Sequence, residues 1–148
     1  MSQAPAPHTA QDLPPRLVLF DGVCGFCDRT VAWLIERDPA GRLRFAPLQG
    51  ETARALRARH PEIPSEAETL VFVERGAEGD RVLLRSRAVL AACAALESPP
   101  RWLRWLALVP APLREAGYRL FARLRYRLFG RLDACRVPSP EERERFLD

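Results

Sequence analysis

Hydrophobic patterning begins at Arg16-Leu-Val-Leu-Phe20, an unbroken apolar run between a Pro-rich stretch and Asp21-Gly22. A strand alternates its side chains between two faces, so a run apolar on every residue predicts a strand buried in the middle of a sheet. Cys24, Cys27, Val31, Leu34 and Ile35 follow at helical spacing and predict a helix over 24–38, stopped by Asp38-Pro39-Ala40-Gly41. Residues 43–48 read as a second strand. An Ala/Leu/Arg helix over Glu51–Arg59 is closed by His60-Pro61. After a loop over 61–67, Thr69-Leu-Val-Phe-Val73 is the best strand of the sequence, 76–80 is a turn, and 81–85 returns as the hairpin partner. Ser86 reads as the N-cap of an Ala-rich helix over 87–96, broken by Ser98-Pro99-Pro100. Two more helical stretches, 101–109 and 113–131, precede a charged, Pro-containing tail after Cys135.

The most informative segment joins the first strand to the first helix: Phe20-Asp21-Gly22-Val23-Cys24-Gly25-Phe26-Cys27. A C-x-x-C that opens a helix sets two sulfurs one turn apart, close enough for a disulfide with little backbone movement. The unpaired amides and dipole at the helix start favour a thiolate on the first cysteine, so Cys24 is the expected attacking thiol. Cys27, one turn inside, is the expected resolving thiol, which leaves the pair oxidised. Arg29 is close enough in sequence to support the thiolate. Asp21 has two candidate roles, capping the turn or taking the proton from Cys27. Two other readings compete: half of a zinc site completed by Cys135 and His60, and a packing role for both cysteines. No second C-x-x-C and no H-x-x-x-H accompanies the motif, so neither a metal nor a cofactor is expected.

The order strand, helix, strand, helix, strand, strand, helix, with C-x-x-C at the first turn, resembles the thioredoxin fold: a mixed four-stranded sheet flanked by helices. On this reading residues 1–15 are a flexible leader, 16–97 the thioredoxin-like core, and 98–148 a helical C-terminal extension packed on the same domain. The run Asp21 to Cys27 also resembles the signature of the DCC family of predicted thiol-disulfide oxidoreductases. The likeness continues through Ser86-Arg-Ala88, Tyr118, Arg125-Tyr126, Phe129-Gly130, Cys135-Arg-Val-Pro138 and Arg145-Phe146. It implies dithiol-disulfide exchange with a disulfide-containing protein or a small-molecule disulfide, Cys24 and Cys27 being the redox pair and a separate electron donor restoring the dithiol. Where thioredoxins and glutaredoxins set a cis-Pro before the third strand, this chain has Glu68, an acid that near Cys24 would raise its pKa. Ser86, between Arg85 and Arg87, begins a helix where glutaredoxin-like folds hold the carboxylate of glutathione. The plainer reading there is an N-cap with solvated arginines. Gly25 and Phe26, between the cysteines, join Glu68, Ser86 and Arg87 as candidate substrate contacts.

Composition narrows the choice of chemistry. With 148 residues, 47% hydrophobic and 28% charged, the chain has the makeup of one globular domain. All 23 basic residues are Arg, so lysine Schiff-base and P-loop chemistry are excluded. The net charge of +4 is local: residues 101–136 hold 9 Arg against 2 acids. In 114–131, Tyr118, Phe121, Leu124, Leu128 and Leu132 fall near one helix face, while Arg119, Arg123, Arg127 and Arg131 repeat on another. This helix either packs on the core with its arginines solvated or contacts an anionic membrane surface or an acidic partner; nucleic acid is not an expected partner. The alternative to an enzyme is a non-catalytic thioredoxin-like module that binds through this helix. Cys93 sits among small apolar residues and reads as core, while Cys135 is either a third redox thiol or a packing residue. No apolar run approaches a membrane span and no secretory signal is visible, so a cytoplasmic location is expected.

Overall fold

The first apolar run forms strand β1 (Arg16–Phe20) in a computed structural model that describes residues 14–22, 24–64, 70–129 and 139–147, the side chains of 125, 126 and 129 excepted. Most of the expected leader, together with Glu68, Arg131, Leu132 and Cys135, lies outside the described residues. Strand β1 is central, as its apolar continuity requires. It pairs in parallel with β2 (Arg44–Pro47) and antiparallel with β3 (Val71–Gly76), which pairs antiparallel with β4 (Gly79–Leu84). The strand order is β2-β1-β3-β4.

The alternation along β1 separates two cores. Val18 and Phe20 pack with Val31 and Leu34 of α1 (Gly25–Glu36) and with Ala88 and Ala92 of α3 (Ser86–Ala94). Leu17 and Leu19 pack on the other face with Ala53 and Leu56 of α2 (Glu51–Arg59). Helices on both faces explain why every residue from Leu17 to Phe20 had to be apolar. The result is an α/β, thioredoxin-like sheet with flanking helices.

Several element boundaries shift by one to three residues from the pattern-based expectation, the β3–β4 turn and the start of α3 among them. The hairpin turn is two residues, 77–78, rather than 76–80, because Glu74, Arg75 and Gly76 continue the ladder opposite Arg81, Asp80 and Gly79. Polar side chains do not end a strand whose backbone still has a partner, and Gly79 supplies the positive φ of 124° that the tight return needs. At α3 the N-cap residue is Arg85, not Ser86, with φ 57° and no side-chain capping bond.

Helices α4 (Trp102–Leu108) and α5 (Ala111–Phe129) follow, joined by Val109 and Pro110. Beyond them the chain returns to the sheet. Phe146 bridges Phe45 in parallel, the Leu147 amide donates to the Phe45 carbonyl at 3.0 Å, and the Arg145 guanidinium pairs with buried Asp38 at 3.8 Å. The Phe146 ring lies 6.1 Å from Phe20 and 5.8 Å from Phe45. The last segment thus covers the outer edge of β2 and adds an aromatic to the core.

Candidate redox site

Cys24 is the N-cap residue of α1, with φ −90° and ψ 120°; its carbonyl accepts from the Asp28 amide at 3.0 Å. Its own amide donates to the Asp21 carbonyl at 3.3 Å, which closes the turn out of β1. Cys27 stands in the first turn of the same helix. The amides of that turn lack helical acceptors, and their partial positive charge lies beside the N-cap position. Cys24 and Cys27 are reduced thiols, and both are buried, Cys24 at 0% exposure and Cys27 at 8%. The expected attacking sulfur is therefore the deeper of the two.

The Asp21 carboxylate is fully buried beneath this turn. Its Oδ1 accepts from Gln49 Nε2 at 2.9 Å, while Gln49 Oε1 accepts from the Gly22 amide at 3.2 Å. One amide side chain therefore fixes both the acid and the backbone leading to the cysteines. Gln49 is a site residue that sequence reasoning missed. Its position follows from the parallel register of Phe20 with Pro47, which sets the segments after β1 and β2 side by side.

Helix α5 supplies a second set of contacts absent from the sequence-based expectation. Phe26, between the cysteines, packs edge-on against Phe121 with centroids 4.6 Å apart, and Gly25 is buried. The Leu70 amide, at the entry to β3, donates to Tyr118 Oη at 3.0 Å. The Ser86 hydroxyl donates to the Glu115 carboxylate and accepts from Arg114 Nε at 3.0 Å. The start of α3, considered above for a substrate carboxylate, thus has the protein's own carboxylate beside it. Arg87 is exposed and lines a different groove, with Arg16, Glu74 and Arg81. Arg29 and Phe26 border an apolar cavity of about 330 Å³ that continues over Trp33, Leu70, Cys93 and Trp102.

Cys93 is buried at the floor of this region, and burial pushes its thiol up to about 11. His60, the other half of the zinc alternative with Cys135, ends α2 and has Nε2 3.1 Å from Asp80 Oδ2. Among the described residues no three His, Cys, Asp or Glu side chains gather as a metal-binding group.

A four-stranded thioredoxin-like sheet with two cysteines at the start of its first helix is the arrangement expected of the thiol-disulfide exchange class. Residues 18–131 match the model of the DCC1-like thiol-disulfide oxidoreductases, and the chain belongs to that family. It is 35% identical over 139 residues to YuxK, an uncharacterized protein of Bacillus subtilis, covering 94% of this chain and 98% of that one. A chloroplastic DCC family protein of Arabidopsis thaliana is 33% identical over 122 residues, 82% of this chain and 69% of the relative. No solved structure matches. At the level of the family, the activity is thiol-disulfide oxidoreduction.

Proposed function

We propose that Cys24 and Cys27 are the redox couple of a disulfide reductase acting on a protein or low-molecular-weight disulfide. The observation that carries this reading is the placement of Cys24 at the N-cap of α1 with Cys27 in its first turn. The Cys24 thiolate attacks one sulfur of the substrate disulfide, forming a mixed disulfide and releasing the other sulfur as a thiolate. Cys27 then gives up its proton and attacks Cys24, so that the Cys24–Cys27 disulfide forms and the second substrate thiolate leaves. Two electrons pass to the substrate, and an external dithiol returns them.

Buried Asp21, held by Gln49, is the proposed acceptor of the Cys27 proton. Phe26 and Gly25, which stand between the cysteines in the sequence, and Glu68 are the proposed substrate contacts. The bonds from Glu115 and Arg114 to Ser86 support a structural role for that serine over direct substrate binding. A cytoplasmic setting, in which thiols are kept reduced, favours reduction over oxidation as the direction of work.

The test is a pair of variants assayed on insulin or a model disulfide. Cys24→Ser is expected to abolish reduction. Cys27→Ser is expected to accumulate a mixed disulfide visible as an added mass, because the resolving step is lost. Full activity of the Cys24→Ser protein would overturn the mechanism.

A further inference from the structure

Helices α4 and α5 carry large apolar side chains on their outside. Trp105 and Leu108 are each 74% exposed, and Leu113, Leu120 and Leu128 are 65%, 60% and 64% exposed. The α5 leucines, with Leu124 between them, recur every four to seven residues and form one stripe along the helix. Arg119, Arg123 and Arg127 are exposed alongside it, and Arg101 and Arg104 are exposed beside Trp105. The one acid in 101–129 is Glu115, which is engaged with Ser86. This stretch contains no Ser, Thr, Asn, Gln, Asp, His or Lys at all. Outward, the two helices therefore offer tryptophan, leucine, small apolar residues and arginine.

We propose that the α4–α5 surface docks on an anionic lipid bilayer, with its tryptophan and leucines in the interface and its arginines on the lipid phosphates. An indole at the headgroup level, leucines just below it and guanidinium groups reaching outward suit that boundary. Charge decides between occupants. A second copy would bring its own five arginines against these. A specific protein partner is recognised through fixed polar contacts of both kinds, whereas this face offers donors without side-chain acceptors. A fluid anionic surface imposes neither constraint. The association is peripheral, since no helix among the described residues is long and apolar enough to cross a membrane.

The experiment floats the full chain with phosphatidylcholine vesicles, alone or with about one third phosphatidylglycerol, and follows tryptophan emission. Binding to the anionic vesicles, weakened by salt and accompanied by a blue shift, is expected. The double variant Arg119→Gln/Arg123→Gln should lose about thirtyfold in vesicle affinity. Trp105→Ser/Leu108→Ser should lose most of the blue shift, and both variants should keep the solution redox chemistry. Failure to bind anionic vesicles, equal binding to neutral ones, or binding unchanged in both variants would overturn the proposal. So would a concentration-dependent dimer that buries Trp105, or a preference for duplex DNA or a polyglutamate peptide over vesicles.

Discussion

Gln49 shows how much of the site depends on a single uncharged side chain. It donates to the Asp21 carboxylate and accepts from the Gly22 amide, so its loss leaves a buried acid and the turn before Cys24 less well held. Gln49→Leu should destabilise the fold by about 1–3 kcal/mol, the range for losing a hydrogen bond to a buried charged group, as read from urea unfolding. Wild-type stability in that variant would show that Gln49 does not support the turn. Nothing at position 49 marks it as functional in the sequence, because its importance comes from strand register. The cysteine pair, in contrast, was legible at once, since both sulfurs come from one helical turn. Cys93 was legible as core for a similarly local reason, its apolar neighbours. Its thiol keeps its proton up to about 11 in the folded chain, above an ordinary value near 9. Between those values only the unfolded chain has released the proton, so stability falls as pH rises through that window, by about 2–3 kcal/mol in all. Urea midpoints at about pH 8 and about pH 10.5 should show a smaller alkaline loss in Cys93→Ala than in wild type. An identical loss in both would place the titrating group elsewhere.

Among the elements, α5 gains most from the structure. Its pattern predicted an amphipathic helix with Tyr118, Phe121, Leu124 and Leu128 near one face. Tyr118 and Phe121 do turn inward, to the Leu70 amide and to Phe26. Leu124 and Leu128 are exposed, so the inward stripe is the narrower one through Arg114, Glu115, Tyr118, Phe121 and Ala122. Helical periodicity could not choose between these stripes, because both sides carry large apolar residues and the inward one includes two charged residues. Charged Glu115 and Arg114 are partly buried, and both hydrogen-bond with Ser86. Fastened in this way against the first turn of α1, α5 should limit access to the fully buried Cys24. Phe121→Ala is predicted to speed iodoacetamide labelling of Cys24 by about five- to tenfold, equivalent to easing local opening by 1–1.4 kcal/mol. Unchanged labelling would mean that α5 does not limit access. The β3–β4 hairpin teaches a simpler lesson: the apolar run of the strand ends at Val73, yet the backbone pairing of Glu74 and Arg75 with Arg81 and Asp80 keeps them in the sheet.

On the scale of the whole molecule, the succession of strands and helices was legible because each element up to residue 94 carries its own local signal. The return of the C-terminus was not. Phe146 lies a hundred residues from Phe45, and no periodicity announces that its ring will join Phe20 and Phe45 while the adjacent backbone pairs with β2. Phe146→Ala should cost about 2–3 kcal/mol, less than a fully buried ring because Phe146 keeps some exposure. Urea unfolding gives the value, and a loss below about 0.5 kcal/mol would show that the tail is not part of the core. The charge also divides the molecule, with a near-neutral redox core on one side and arginine-rich helices on the other. The central claim concerns that core and is tested most directly by equilibrating the protein in dithiol–disulfide buffers of graded potential. Free thiols are then trapped and counted by mass. A single two-electron transition, lost in both Cys24→Ser and Cys27→Ser and retained in Cys93→Ala, is the predicted result. A pair that stays reduced across the whole range, or a transition that survives in Cys24→Ser, would contradict it.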